Sequence, residues 1–149
     1  MALETGDKAP DFSLIADNGK PFKLSSKLKG NALLVFYPGD NLPVCQQQMR
    51  DYRDHYDKFS ALNVDVIAIS GDESGFIKSF KKEHGLPFTL LSDAEGEVSK
   101  LYDSFGWFGV KRSVFLVDKN FEIKYKHVES VSIYRRSVDE LTDIIKRKL

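Results

Sequence analysis

This sequence has almost no cysteine, no long hydrophobic run and no net charge. Cys45 is the one cysteine in 149 residues, so the chain can form neither an internal disulfide nor a cysteine-based zinc site. Its 22 basic residues balance 22 acidic ones, and no run approaches the roughly 18 apolar residues of a membrane span. The N-terminal residues show no signal-peptide pattern. We therefore expect a cytoplasmic protein with no nucleic-acid or membrane partner.

Motifs for metals and cofactors are also missing. The three histidines, His55, His84 and His127, have no metal-ligand spacing, and there is no Walker loop, G-x-G-x-x-G or G-x-S-x-G. The sequence therefore predicts neither a metal nor a cofactor. With 42% hydrophobic and 12% aromatic residues it can build a core, and we expect one domain over residues 1–149.

Strand and helix patterns alternate along the chain. A hairpin is predicted around Asp17-Asn18-Gly19, buried strands at 32–37 and 64–69, and a long helix from Pro43 through Phe59. Further patterns predict a helix at 74–84 with Phe76, Ile77 and Phe80 inward, a strand at 88–91, a helix at 98–102, a hairpin over 114–125 and a last helix with a Ser137/Glu140 capping box. This order predicts an α/β fold with a mixed sheet between helices.

Chemistry is expected where the strand at 32–37 ends and the next helix begins. Pro43 suits the first helical position, which puts Cys45 in the first turn. The positive end of a helix dipole favours a thiolate there, so the cysteine could act as a nucleophile. The alternative, a small buried hydrophobic cysteine, stays open on these residues alone.

Several segments together resemble one known family. Pro38 and Cys45 fit the pattern P-x-x-x-T-x-x-C, and GDKAPDFSL, LPFTLLSD (86–93), KRSVFLVD (111–118) and the Arg53-Asp54 pair follow in family-like order. The sequence resembles the peroxiredoxins of the bacterioferritin comigratory protein type. The resemblance implies a thioredoxin-like fold, an N-terminal β-hairpin and the reduction of hydrogen peroxide and organic hydroperoxides to water and alcohols.

The resemblance also assigns roles to particular residues. Cys45 matches the peroxidatic cysteine, which becomes a sulfenic acid, and Arg112 matches the arginine that stabilises the thiolate and the departing oxygen. Pro38 matches the residue that shields the sulfur from solvent. Pro38, Leu42 and Gln48 are expected to line the substrate pocket.

Two of these positions depart from the family pattern. Leu42 replaces the threonine whose hydroxyl helps to hold the peroxide, and Gln48 stands where many relatives have glutamate. Leu42 leaves two hypotheses: the enzyme favours bulkier hydroperoxides, or the chain is an impaired peroxiredoxin that serves as a redox sensor or binding protein. Since Leu42 caps a helix poorly, Asp40 or Asn41 could cap it instead.

A second cysteine is missing from the chain. The position five residues after Cys45, where many relatives carry a resolving cysteine, is Arg50. A sulfenic acid at Cys45 must therefore react with an outside thiol: thioredoxin, glutaredoxin, a small thiol or Cys45 of another subunit. The resemblance allows a monomer or a homodimer.

Three further segments have less specific patterns. The aromatic segment 106–110 could line the pocket mouth, form a subunit contact or anchor a loop. Tyr134, Arg135 and Arg136 are expected to be solvated. The acidic residues Asp93, Glu95, Glu97 and Asp103 fit a solvated loop better than a cation site.

Overall fold

The structure, a computed structural model, describes residues 3–39, 42–107, 109–129 and 135–149. These residues form strands and helices in alternation. In chain order they are β1 (Ser13–Ala16), β2 (Pro21–Lys23), α1 (Leu24–Lys27), β3 (Asn31–Tyr37), α2 (Pro43–Asp54), α3 (Tyr56–Ala61), β4 (Val64–Ser70), α4 (Ser74–His84), β5 (Thr89–Ser92), α5 (Glu97–Leu101), β6 (Phe105–Gly106), β7 (Gly109–Val110), β8 (Ser113–Val117), β9 (Ile123–Val128) and α6 (Val138–Lys148).

A seven-stranded mixed sheet forms the centre of the molecule, in the order β2-β1-β5-β4-β3-β8-β9. Strand β3 pairs in parallel with β4 and in antiparallel fashion with β8. Because Phe36 of β3 pairs with Ser113 of β8, the residue before Ser113 lies beside the end of β3. This register brings the β3–α2 junction and Arg112 together.

Hydrophobic cores cover both faces of the sheet. One core contains side chains of α2, α3, α4 and α6, and the other contains side chains of α1, α5 and the N-terminal segment. Six of the seven residues of β3 are buried, which explains its nearly continuous apolar sequence. The predicted mixed sheet between helices is confirmed.

Most of the predicted elements form, with two local differences. The hairpin is confirmed, and Gly19 supplies the positive φ of its turn (81°). The helix from Pro43 ends at Asp54 and restarts at Tyr56, since His55 leaves helical geometry at φ −122° and ψ 23°. The prediction that Phe76 points inward is wrong, because its side chain is 70% exposed while Ile77 and Phe80 fill the core contact of α4.

Two short elements were not predicted: α1 and the two-residue ladder of β6 with β7. Both are too short to produce a hydrophobic period in the sequence. Leu24 nevertheless anchors α1 by burying its side chain completely. The β6–β7 ladder ends at Val110, two residues before Arg112.

The capping box of α6 forms as the sequence predicts. Ser137 Oγ accepts the Glu140 N–H at 3.1 Å, and the Ser137 N–H donates to Glu140 Oε1 at 3.1 Å. Both bonds satisfy donors that the first helical turn leaves without a ladder partner. They fix the start of the helix that buries Val138, Leu141, Ile144 and Ile145 against the sheet.

Replacing the cap is expected to destabilise the whole domain. In Ser137→Ala the Glu140 N–H loses its acceptor, so we expect the free energy of unfolding to fall by about 1 kcal/mol. Urea denaturation followed by circular dichroism measures the change. Ser60→Ala, at an exposed position of α3, is the control and should change stability little. Equal stability of Ser137→Ala and the wild type would contradict a structural role for the box.

Candidate active site

Cys45 lies in the first turn of α2, directly after the loop that leaves β3. Pro43 is the first helical residue, and the first bond of the helical ladder runs from the Gln46 N–H to the Leu42 carbonyl at 3.0 Å. The helix has no acidic residue in its first turn, so its positive end is not offset there by a carboxylate of the helix itself. Cys45 is fully buried, and an anionic sulfur at this place is stabilised by the helix.

Arg112 reaches the sulfur from the other side. It precedes β8, its side chain is 2% exposed, and its Nη2 donates to Cys45 Sγ at 3.1 Å. A guanidinium withdrawn from water is costly unless charged or polar acceptors surround it. The Cys45 sulfur and the Gln48 amide oxygen are the acceptors that this guanidinium finds on α2.

Gln48 and Tyr52 extend this contact along α2. Gln48 Oε1 accepts a hydrogen bond from Arg112 Nη1, and Gln48 Nε2 donates to the Tyr52 hydroxyl at 3.0 Å. Burial raises the pKa of Tyr52 to about 12, so its hydroxyl is neutral at physiological pH. A continuous buried chain therefore links Cys45, Arg112, Gln48 and Tyr52.

Pro38 and Leu42 lie at the two ends of the loop between β3 and α2. Pro38 is half-buried. Its carbonyl oxygen packs against Gly71, where a Cβ atom on residue 71 would lie only 3.3 Å from that oxygen. Leu42 is 43% exposed and contributes no side-chain cap to α2. Asp40 and Asn41, the alternative caps, lie outside the described residues.

The basic residues before α6 are less solvated than the sequence predicts, since the Arg135 side chain is 20% exposed and the Arg136 side chain 35%. Arg135 forms an ion pair with Asp51 of α2, and Arg136 contacts His127 Nδ1 at 3.3 Å and Glu140 at 3.2 Å. Tyr134 lies outside the described residues. No local pattern could have revealed the pair of Asp51 with Arg135, because the two residues are 84 positions apart. This pair ties α2 to the segment that leads into α6.

The acidic segment after β5 is not wholly solvated either. Asp93 is 3% exposed and accepts the Ser99 N–H at 2.7 Å and the Ser99 hydroxyl at 2.6 Å, so it supports the start of α5. Asp103 accepts the Leu3 N–H at 2.6 Å. Within the described part of the chain, no three His, Cys, Asp or Glu side chains are grouped to hold a metal ion.

The aromatic segment does not anchor its loop through Trp107. This side chain is completely exposed, whereas Val110 is buried. Phe108 lies outside the described residues. The loop-anchor hypothesis is therefore wrong for Trp107.

The Asp51–Arg135 pair makes a pH-dependent contribution to stability. Burial acts to raise the pKa of Asp51, but hydrogen bonds from Arg135 and Gln47 outweigh it and hold that pKa below 3.8. A carboxylate with a lowered folded-state pKa stabilises the fold above its unfolded pKa and loses that effect as the pH falls through the folded value. The stabilisation is therefore complete at neutral pH and lost in acid.

Asp51→Asn tests this contribution. We expect it to lower the free energy of unfolding at neutral pH by about 1 kcal/mol, and the difference from the wild type to shrink below pH 3.8. Urea denaturation at neutral and acidic pH measures both values. Asp143→Asn, on the exposed face of α6, is the control. A difference that is the same at both pH values would rule out an electrostatic role for the pair.

The chain resembles known proteins over most of its length. Residues 5–126 match the AhpC/TSA family. The chain is 38% identical over 127 residues to "Peroxiredoxin Bcp" of Bacillus subtilis, covering 80% of this chain and 81% of that protein. It is 44% identical over 121 residues to "Peroxiredoxin Q, chloroplastic" of Arabidopsis thaliana, covering 79% of this chain but 56% of that longer protein.

Solved structures give the same result. The crystal structure of "Peroxidoxin BcpB" from Mycobacterium tuberculosis superposes with a TM-score of 0.87 at 27% identity and covers 97% of both chains. In the described ranges, no helix has the length and hydrophobicity of a membrane span. The thioredoxin-like peroxiredoxin fold expected from the sequence is confirmed. The chain therefore belongs to the AhpC/TSA family, and with it to the peroxiredoxins, which are thiol-dependent peroxidases.

Proposed function

We propose that Cys45 is the peroxidatic cysteine of this thiol peroxidase and that Arg112 is its catalytic arginine. This proposal rests on the 3.1 Å hydrogen bond from Arg112 Nη2 to Cys45 Sγ, in which both side chains are buried. A guanidinium in this position keeps the sulfur anionic, which is the form that attacks a peroxide. Pro38, half-buried just after β3, is assigned the shielding of the sulfur that the family resemblance implies.

The first half-reaction transfers one oxygen to the sulfur. The Cys45 thiolate attacks the terminal oxygen of a hydroperoxide, the S–O bond forms and the O–O bond breaks. The products are a Cys45 sulfenic acid and an alkoxide, or hydroxide when the substrate is hydrogen peroxide. Arg112 stabilises the negative charge that develops on the leaving oxygen, which then takes a proton from solvent to give alcohol or water.

An outside thiol completes the cycle. Its sulfur attacks the sulfenic sulfur, water leaves and a mixed disulfide forms; a second thiol then releases Cys45 as a thiol and leaves as a disulfide. The single cysteine supports this one-cysteine route, with thioredoxin, glutaredoxin or a small thiol as reductant. Because Cys45 is fully buried, the reductant's sulfur meets it only after the first turn of α2 moves.

The partners and location of the enzyme belong to the same proposal. A protein whose one thiol cycles through reduction fits a reducing compartment such as the cytoplasm. The relatives named above are peroxiredoxins and lend no support to an impaired redox sensor or binding protein. Both the monomer and the homodimer are compatible with the proposed reaction, because it uses residues of one chain.

Leu42 supports a preference for apolar organic hydroperoxides over hydrogen peroxide. Its side chain is 43% exposed at the start of α2, three residues before the reactive sulfur. An exposed leucine offers hydrophobic contact to an alkyl group but no hydrogen bond to a small polar substrate. Hydrogen peroxide has no alkyl group and gains nothing from this contact.

The peroxidase activity of Cys45 is tested by stopped-flow mixing of the reduced protein with an organic hydroperoxide. Loss of the thiol should be far faster than for free cysteine, and consumption of the hydroperoxide should vanish in Cys45→Ser. Arg112→Met removes the cation that stabilises the leaving oxygen, so the rate should fall roughly a hundred- to a thousand-fold. Oxidation of the wild type no faster than that of free cysteine would disprove the enzyme assignment.

Leu42→Thr tests the substrate preference. The variant restores a hydroxyl, so reaction with hydrogen peroxide should accelerate by up to roughly a hundredfold, and the preference for a bulky organic hydroperoxide should fall. Second-order rate constants with the two substrates give the ratio. Leu101→Thr, at another exposed leucine on the opposite face of the sheet, is the control. An unchanged substrate ratio in Leu42→Thr would refute the role of Leu42.

A further inference from the structure

Gln48 contacts Arg112 on the side away from the sulfur, and its amide side chain carries no charge. Gln48 is 1% exposed, and its Oε1 accepts a hydrogen bond from Arg112 Nη1 while Arg112 Nη2 donates to Cys45 Sγ. One guanidinium therefore bridges a neutral amide and the reactive sulfur. Its two outer nitrogens point to different partners.

Tyr52 fixes the orientation of the amide. Gln48 and Tyr52 are one helical turn apart on α2, and Gln48 Nε2 donates to the Tyr52 hydroxyl at 3.0 Å. Since a glutamine amide has a donor end and an acceptor end, this bond turns the acceptor Oε1 toward Arg112. Tyr52 is fully buried and holds this orientation without contact with solvent.

A carboxylate in place of this amide would change the electrostatics of the sulfur. It would accept the same hydrogen bond, but its negative charge would offset that of Arg112 and repel an anion at Cys45. These interactions are strong because the hydrogen-bonded residues are all buried and poorly screened by water: Cys45, Arg112, Gln48 and Tyr52. The amide supplies the hydrogen bond without the opposing charge.

We propose that Gln48 is a positioning residue, a proposal that rests on the proposed function. Its amide holds Arg112 against Cys45. Because the amide is uncharged, it leaves the positive charge of the guanidinium to stabilise the thiolate. Gln48 does not touch the reacting atoms itself. It acts through Arg112. The neutral side chain at position 48 makes the thiolate of this enzyme more stable than a glutamate there would.

Four other ionisable residues line a small cavity behind Gln48 and Arg112: His127, Glu129, Arg135 and Arg136. A fifth ionisable residue, Asp51, lies on α2 itself, three residues after Gln48. His127 Nε2 and Glu129 lie 3.0 Å apart, and Asp51 pairs with Arg135. These groups stay in place when residue 48 changes, so a substitution there isolates the effect of its charge.

The proposal is tested by comparing Gln48→Glu with the wild type. The ultraviolet absorbance of the thiolate is titrated against pH in the absence of peroxide. The pH at which half of Cys45 is ionised should rise by more than about one unit, a tenfold change in the ratio of thiolate to thiol. Oxidation by hydroperoxide at neutral pH should slow about tenfold and recover at higher pH, where the thiol ionises again.

Gln47→Glu is the matched control, since it adds the same charge one residue away on the exposed face of α2. Its titration midpoint, the pH at which half of Cys45 is ionised, should stay close to that of the wild type. Gln48→Met keeps position 48 neutral but removes the hydrogen bond that holds Arg112, so its midpoint should also rise, and by less than that of Gln48→Glu. The proposal is overturned if Gln48→Glu and Gln48→Met fold with unchanged midpoints, or if Gln47→Glu shifts the midpoint by more than about one unit.

The titration also separates this proposal from the proposed function. It needs no peroxide and no reductant, so it reports on the thiolate whether or not the enzyme turns over. A shift in Gln48→Glu together with a wild-type protein that does not react with peroxide would sustain the role of Gln48 and reject the function. A rapid reaction of the wild type with peroxide, together with an unchanged titration midpoint in Gln48→Glu, would sustain the function and reject the role of Gln48.

Discussion

The site depends on a buried contact between a guanidinium and a sulfur. Neither group is stable alone in the interior: Arg112 is 2% exposed and Cys45 is fully buried, so a lone charge on either one would be costly. Together they form a charged pair when the sulfur is ionised. Burial, which by itself opposes a thiolate, thereby strengthens the interaction that favours it. The role proposed for Cys45 therefore depends on this one contact in the interior.

The central strands bring the two groups together. The two residues are 67 positions apart, and the antiparallel pairing of β3 with β8 places the segment before β8 beside the end of β3. The loop after β3 then turns into α2, whose first turn points Cys45 at Arg112. A slip of one residue in that register would turn the side chains of β8 to the other face of the sheet. The hydrophobic pattern of β3 and β8 therefore also protects the catalytic geometry.

Features with a local cause could be predicted from the sequence, and features with a tertiary cause could not. The hairpin at Gly19, the start of α2 at Pro43 and the capping box of α6 each depend on a few neighbouring residues, and all of them form. Phe76 was placed in the core by spacing alone, yet α4 turns that side chain to solvent. The pairing of Arg135 with Asp51 joins distant segments and leaves no sequence pattern. The roles of Cys45 and Arg112 came from family resemblance, because composition leaves a lone cysteine ambiguous.

In the proposed reaction, the contacts that favour attack by Cys45 also restrict its reduction. Arg112 holds the first turns of α2 through its contacts with Cys45 and Gln48, and the ion pair of Arg135 with Asp51 holds the next turn. Because Cys45 is fully buried, both partners need an opening: a hydroperoxide needs one wide enough for its terminal oxygen, and a protein thiol needs a larger one with room for a second sulfur in line with the first. With no second cysteine in the chain, the sulfenic acid cannot move into an internal disulfide and waits for that opening. The stability of α2 therefore acts in opposite directions on the two half-reactions: contacts that promote oxidation of Cys45 slow its recovery and prolong its exposure to further oxidation.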